Sequence, residues 1–262
     1  MCCGTTADIV RYVFRTGGDG HLNRNAALFS VGVKIEVKKP LKGHTVIVGF
    51  PGIGLVGPIA AKHIVDSMGM ELIGAAFSES FPTVAAIKNG VSLPPVRIYA
   101  DGEKKIAVVL SEILFSDKTA KALGETLVET AKNEGAKRIL SIAGVLVPTA
   151  SSRVLWGAGS TKEEVEFLKG YGIQPVEKGI TTGISAALLV KGQETGVPVA
   201  LILGALRTKE DYRTAAEIVK KLDEMLGLDV SYGELTERAK NIEKEVCNIF
   251  ARSKQRDSPM YG

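Results

Sequence analysis

The stretch that decides the fold is Thr45–Gly57, which reads Thr-Val-Ile-Val-Gly-Phe-Pro-Gly-Ile-Gly-Leu-Val-Gly. Its first six residues form a short apolar run rich in β-branched side chains, which is typical of a strand buried on both faces. Glycines follow at the G-x-G-x-x-G spacing, and the apolar periodicity of residues 55–68 predicts a helix. Strand, turn and helix together match the fingerprint with which dinucleotide-binding folds hold a pyrophosphate on backbone amides.

Two features of the turn favour a structural role for its glycines instead. Pro51 and Pro58 bracket the turn and remove two amides from a loop that would bind phosphate through its amides. Glycine also permits a tight turn and a close approach of helix to sheet. The acidic residue that the fingerprint requires about 20 residues later would be Glu79. Packing and nucleotide binding both remain open, and we favour packing. The glycines concerned are Gly49, Gly52, Gly54 and Gly57.

Residues 49–57 also resemble the opening motif of the PAC2 family, which comprises the proteasome assembly chaperones and their archaeal homologues. The likeness runs from about Val33 to Leu228. It includes Thr182–Leu189, which has the character of a helix start, and the predicted strand Val197–Gly204. The resemblance implies a non-enzymatic protein whose task is binding.

On both sides of the glycine turn, strand and helix patterns alternate along the chain. The predicted strands lie at residues 33–37, 71–77, 84–87, 96–100, 105–110, 138–143, 153–156, 173–177 and 199–203. The predicted helices lie at residues 118–134, from 161, at 184–191 and at 211–226, with Ser116 and Thr161 as capping signals. This alternation predicts an α/β fold, a three-layer α/β/α domain over residues 33–228 around a mostly parallel central sheet. Residues 1–32 are expected to form a poorly structured extension.

Composition restricts the function classes. Of 262 residues, 45% are hydrophobic and 24% charged, which is ordinary for a globular protein. The net charge of +4 is spread without a dense basic block, and 6% aromatic residues offer little to stack bases, so we expect no nucleic-acid partner. Cys2, Cys3 and Cys247 fit reduced thiols. Because the sequence shows neither an apolar run of membrane-spanning length nor a signal peptide, we expect a cytoplasmic protein without membrane contact.

No established catalytic or metal-binding pattern is present in the sequence. His44 and His63 lack a second histidine or cysteine at ligand spacing, so we expect structural or exposed roles for both. Five polar residues in loops after predicted strands could line one cleft, where catalysis would sit if there were any. We predict no catalytic residue, no metal and no cofactor. The five loop residues are Glu79, Ser80, Glu112, Ser116 and Asp117.

The C-terminal region, residues 229–252, predicts a helix from about Tyr232 to Ala251, with Ser231 as its cap. Its apolar residues are spaced by four, three, four and three positions, which is a heptad seam of about two and a half repeats. This seam could pack on its own domain or join subunits of a homo-oligomer, and the pattern leaves both open. The seam consists of Leu235, Ala239, Ile242, Val246 and Ile249.

Residues 253–262 form a polar segment that ends in Met260, Tyr261 and Gly262. We expect this segment to be a flexible tail. Its ending resembles the Hb-Tyr-X tail, a hydrophobic residue, a penultimate tyrosine and any last residue, by which activators and some archaeal PAC2 proteins dock onto the α-ring of the proteasome. Together with the opening motif, the tail predicts a proteasome assembly chaperone-like oligomer whose partners are 20S α-subunits. The alternative is a nucleotide- or small-molecule-binding enzyme that uses the glycine turn.

Overall fold

The computed structural model describes residues 32–146, 154–206 and 211–239. The strands with bounds in these residues are β1 (Lys34–Val37), β2 (Thr45–Gly49), β3 (Glu71–Phe77), β4 (Ala86–Lys88), β5 (Val91–Leu93), β6 (Val96–Asp101), β7 (Ile106–Leu110), β8 (Arg138–Leu146), β9 (Leu155–Gly159), β10 (Gln174–Pro175) and β11 (Val199–Leu206). The α-helices are α1 (Val56–Ser67), α2 (Asp117–Asn133), α3 (Lys162–Gly170), α4 (Gly183–Thr195) and α5 (Tyr212–Leu226).

Nine of these strands form one sheet in the order β1-β3-β6-β7-β2-β8-β11-β9-β10. Its four central strands, β7, β2, β8 and β11, are parallel to one another. The flank from β7 to β1 is antiparallel, and β9 runs antiparallel to β11. The α/β fold is confirmed, and the sheet as a whole is mixed because a tight hairpin turn after Asp101 joins β6 to β7 and so reverses the chain.

Helices cover both faces of this sheet. On one face α1, α3 and α5 pack against alternate strand residues such as Ile47. On the other face α2 and α4 pack against the intervening residues, including Val46 and Val48. Successive side chains of a strand point to opposite faces, so a strand covered on both sides must be apolar throughout. The run of buried residues in β2 meets this requirement.

Helix starts lie where the capping residues predict them. The Ser116 side chain accepts a hydrogen bond from the Thr119 amide at the start of α2, and Thr161 accepts one from the Glu164 amide at the start of α3. Asp211 caps α5 in the same way. Each side chain satisfies an amide that has no partner within its helix.

Strand β9 begins later than the predicted strand at residues 153–156. Its sequence, Leu-Trp-Gly-Ala-Gly, contains two glycines, which weaken the strand pattern. A Cβ atom at Gly157 would lie 2.5 Å from Cδ1 of Leu168 on α3. Glycine therefore stands in this strand because the covering helix approaches it closely.

Strands β4 and β5 form a separate two-stranded sheet. Asn89 and Gly90, both with positive φ, make its turn. Ile87 and Val91 beside the turn are 76% and 63% exposed. Within the described ranges, no helix is long and apolar enough to span a membrane.

Candidate functional site

The glycine turn after β2 is built for contact between backbones. A Cβ atom at Gly49 would lie 2.4 Å from Cβ of Ala61 on α1. One at Gly57 would lie 2.7 Å from the carbonyl oxygen of Phe50 and 3.0 Å from that of Ile142 on β8. Helix α1 therefore rests directly on the two central strands, and side chains at these positions would push it away.

The middle of the turn is also occupied by protein. Gly54 has a φ of +77°, and a Cβ there would lie 2.5 Å from a methyl carbon of Leu206 at the end of β11. The Gly54 carbonyl accepts a hydrogen bond from the Asp211 amide at 3.0 Å. By contrast, no described atom lies within 4 Å of a Cβ built at Gly52. These contacts favour packing over pyrophosphate binding as the role of Gly49, Gly54 and Gly57.

A cleft opens beside the turn, where β2, β7 and β8 end. Its volume is about 370 Å³, within the usual range for ligand pockets. In the sheet, β2 lies between β7 and β8. After β2 the chain first builds the side of the sheet that includes β7 and then crosses to the side that begins with β8, so the strand order reverses at β2. Such a reversal is where α/β proteins commonly bind ligands. Residues that line the cleft include Phe50, Ile53, Leu114, Phe115, Ile180 and Ser185.

The lining of the cleft is largely apolar and partly open to solvent. Ile53 is 56% exposed, Leu114 72% and Ile180 88%. Beneath them, the Phe115 ring lies 6.1 Å from that of Phe50 and 4.9 Å from that of Phe81, measured between centroids. Contiguous exposed apolar surface of this kind marks sites that bind a partner or ligand.

Two helices begin at this cleft, and their N-termini differ. At the start of α2, the Ser116 side chain accepts a hydrogen bond from the Thr119 amide, and Asp117 places an acidic group in the first turn. For α4, whose residues are all described, Thr182 makes no capping hydrogen bond through its side chain and the first turn holds no acidic residue. The positive end of the α4 dipole is therefore uncompensated by an acidic side chain of its own helix. Ser185 in this first turn is buried and hydrogen-bonded to Ser141 at 3.0 Å between oxygens.

The predicted polar loop residues do not form a catalytic group. Asp117 lines the cleft. Glu112 forms an ion pair with Arg97, a buried residue of the inner strand β6. Ser80 and Ser116 both contact the Thr119 hydroxyl, at 3.3 and 2.9 Å. Ser80 and Ser116 thus share one partner, Glu112 has a different one, and the fifth residue, Glu79, is exposed.

His44 and His63 lie outside the cleft and have structural contacts. The buried His44 ring approaches the Lys42 carbonyl at 3.3 Å through Nδ1. His63 on α1 donates from Nε2 to the Ser231 carbonyl at 2.6 Å, which ties α1 to the segment after α5. No group of three or more potential metal ligands occurs among the described residues.

A buried ion pair lies elsewhere, on the edge that carries α3. The Arg138 guanidinium is 3.2 Å from the Glu164 carboxylate and 3.6 Å from the centroid of the Phe167 ring. Burial raises the pKa of Glu164, an effect that Arg138 opposes and Glu163 reinforces. One carboxylate oxygen of Glu164 and Nε of Arg138 are buried without a hydrogen-bond partner among described atoms. The pair serves packing of α3 on the sheet rather than the cleft.

The first seam residue of the C-terminal helix packs internally. Residues 233–239 are helical, and the Ser231 hydroxyl accepts a hydrogen bond from the Gly233 amide at 3.4 Å. Leu235 is 4% exposed and belongs to the core between α1, α5 and the sheet. This burial favours the internal alternative for Leu235. The remaining seam candidates Ile242, Val246 and Ile249, and the tail residues Met260, Tyr261 and Gly262, lie outside the described residues.

The apolar lining of the cleft is the feature that the sequence reasoning missed. Ile180 stands alone in a polar loop, and Leu114 follows the end of β7, so both are apolar residues in loops just beyond the sheet edge. Isolated apolar residues in a loop next to the end of a strand are therefore the sequence signal for this lining.

Comparison with known proteins identifies relatives over most of the chain. A family model described as the PAC2 family matches residues 46–249. An uncharacterized protein of Methanocaldococcus jannaschii is 29% identical over 235 residues, which cover 87% of this chain and 95% of that protein. The solved structure of Pyrococcus furiosus PbaA, described as an archaeal homolog of proteasome-assembly chaperone, has a TM-score of 0.78 and 29% identity and covers 86% of this chain and 94% of that chain. Pyrococcus furiosus PbaB, an archaeal proteasome activator, shares the fold with a TM-score of 0.72 at 22% identity, covering 83% of this chain and 98% of that chain.

Proposed function

The chain belongs to the PAC2 family, and from this premise we propose that it is a proteasome assembly chaperone-like protein that binds the 20S proteasome. The observation that carries the proposal is the similarity to PbaA along nearly the whole length of both chains. A fold alone does not fix a function, because one fold hosts many. Here the shared length, the family and the C-terminal sequence support the same partner.

The tail supplies the contact in this proposal. Met260 and Tyr261 enter a pocket between adjacent α-subunits, and the terminal carboxylate of Gly262 pairs with a basic group there, as in other cases of carboxylate capture. The seven preceding residues contain Ser, Lys, Gln, Arg, Asp, Ser and Pro, so they have little apolar surface to bury. Such a composition suits a tether that presents the last three residues to a partner.

Several tails on one body would give useful affinity. A buried aromatic side chain covers about 150–250 Å², worth roughly 4–6 kcal/mol at ~25 cal/mol per Å². The loss of translational and rotational freedom costs about as much or more. One tail therefore binds weakly, whereas a homo-oligomer that presents several could gain about 10²–10⁴-fold in avidity.

The packing of the glycine turn supports a binding protein over the nucleotide-dependent enzyme. Contacts at Gly49, Gly54 and Gly57 account for glycine at these positions without any ligand. The polar residues around the cleft lack the mutual geometry of nucleophile, base and orienting group that catalysis needs. Titration with NAD, NADP or ATP should accordingly give no saturable binding.

Removal of Met260–Gly262 tests the proposed contact. We expect the truncated protein to lose binding to purified 20S particles while keeping its oligomer size and the circular dichroism spectrum of the folded chain. Tyr261→Ala should have the same effect, and one added glycine nearly so because it displaces the carboxylate. Binding of the truncated protein at full affinity would place the partner surface elsewhere on the fold. Loss of binding together with loss of the oligomer would assign the tail a role in assembly of this protein itself.

A further inference from the structure

We propose that the apolar cleft between the glycine turn and α4 is a binding site for a C-terminal carboxylate segment with apolar side chains, and that its occupant is this chain's own Met260-Tyr261-Gly262. The site would hold the tail as an intramolecular latch. The proposal concerns the free protein and stands whether or not the tail also binds a proteasome.

The first argument is chemical complementarity between the cleft and the end of the chain. Ile53, Leu114 and Ile180 offer exposed apolar surface. Met260 and Tyr261 are the matching apolar pair in a segment that is otherwise polar. Burial of one against the other removes apolar area from water on both sides.

The second argument is charge. The N-terminus of α4 opens into the cleft with no capping side chain and no acidic residue in its first turn. Backbone amides and the helix dipole at such an end favour a negative group. The carboxylate of Gly262 is such a group, and it directly follows the apolar pair. Asp117 also lines the cleft, but it stands in the first turn of α2, where that helix's own amides and dipole offset its charge.

The third argument is where the described chain ends. The helical residues 233–239 follow α5 and return along it, because Arg238 contacts the side chain of Tyr212, the first residue of α5. The preceding residue, Asp211, donates its amide to the carbonyl of Gly54 in the glycine turn. The turn forms one wall of the cleft through Gly52 and Ile53. At Ala239 the chain has thus come back to the edge of the sheet at which the cleft opens.

The chain beyond Ala239 is long enough to reach the cleft. Position 261 follows position 239 by 22 residues. If the helix continues to Ala251 as its pattern predicts, it advances roughly 18 Å. The ten or so residues that remain span up to roughly 30 Å when extended. The chain after Ala239 is therefore long enough for the tail to reach the cleft of its own subunit.

Methyl NMR spectra of the full chain and of the chain lacking Met260–Gly262 test the latch. We expect the signals of Ile53, Leu114 and Ile180 to differ between the two proteins, whereas Ile87, exposed on the β4–β5 hairpin, should not change. Unchanged cleft signals overturn the proposal. Signals that shift with protein concentration also overturn it, since they would assign the cleft to the tail of another copy.

A peptide of residues 253–262 separates binding from indirect effects. It should bind the truncated protein saturably and the full chain more weakly, because the attached tail competes. Amidation of its C-terminus should weaken binding by about fivefold, the factor expected from one helix end. Ile180→Asp in the truncated protein should reduce peptide binding, and Ile87→Asp, an equally exposed change, should not. Equal affinity for amidated and free peptide, or for both proteins, contradicts the proposal. Because no proteasome is present, these outcomes are independent of the proposed function.

Discussion

The glycines of the turn share one motif, but each of them has different neighbouring atoms. Their spacing in the sequence predicts a strand–turn–helix unit, and the unit is present. Their separate roles depend on atoms contributed by β8 and β11, which lie far along the chain. Gly57 faces the Ile142 carbonyl and Gly54 faces Leu206, whereas Gly52 has open space. Spacing alone could not distinguish these environments.

Gly57→Ala and Gly52→Ala form a matched pair of substitutions. Alanine normally stabilises a helix by about 1 kcal/mol relative to glycine. At Gly57 we expect the reverse, a destabilisation of about 1–3 kcal/mol, because the new Cβ meets the backbone of Phe50 and Ile142. Gly52→Ala should change stability by less than about 0.5 kcal/mol. Urea unfolding of both variants checks this, and equal stability of the two would contradict the packing interpretation.

Glu163 and Glu164 should give opposite contributions to the pH dependence of stability. The buried Glu164 has a raised pKa, so the folded protein holds its proton more tightly and the free energy of unfolding falls as pH rises above about 4.5. The exposed Glu163 has a pKa lowered mainly by its hydrogen bond to Thr161, so its contribution is present above about 4.5 and is lost as pH falls. Thermal melts between pH 3 and 7 should show that Glu164→Gln and Glu163→Gln change this slope in opposite directions. Parallel changes would refute the assignment.

At the element scale, local signals predicted the helices better than the sheet order. Ser116, Thr161 and Asp211 mark helix starts through hydrogen bonds within three residues, so the sequence contains the whole interaction. Strand direction depends instead on partners distant in sequence. The turn after Asp101 reverses the chain between β6 and β7, but the antiparallel flank of the sheet also depends on the pairing of β3 with β6 and β1. Heptad spacing at Leu235 likewise could not say which surface it meets.

Leu235→Ala tests the position of the C-terminal helix. Because Leu235 is buried in the core of its own chain, we expect a loss of about 2–5 kcal/mol in the free energy of unfolding. The neighbouring Glu234 is exposed and pairs with Arg238 on the surface, so Glu234→Ala should cost less than about 1 kcal/mol. The decrease in the free energy of unfolding caused by Leu235→Ala should not depend on protein concentration. A strong concentration dependence would instead assign this residue to a contact between subunits.

For the molecule as a whole, the position of the cleft could be predicted from the sequence, but its apolar lining could not. Loops after β2 and β7 were expected to border a site, because strand ends at a reversal of sheet order form crevices. Of the polar candidates there, Asp117 lines the cleft, and apolar side chains such as Leu114 make up much of its surface. Whether a loop side chain faces the cleft depends on the turn that carries it, which the sequence pattern does not encode.

Oligomerisation and proteasome binding should be coupled through the number of tails. Ile242→Asp together with Val246→Asp places two charges in the predicted seam beyond Leu235, and buried unpaired charges are costly. If the seam joins subunits, sedimentation should show the 27.8 kDa chain as a monomer. A thermal melt of this variant should give an unchanged melting temperature.

The affinity of this monomer for immobilised 20S particles should then fall by about 10²–10⁴-fold although its tail is intact, because avidity is lost. Mixed oligomers assembled from full-length and truncated chains provide the control. As the fraction of subunits that carry a tail decreases, the affinity of the oligomer for the 20S particle should fall more steeply than that fraction. A monomeric double variant that binds as tightly as the parent protein would show that a single tail suffices.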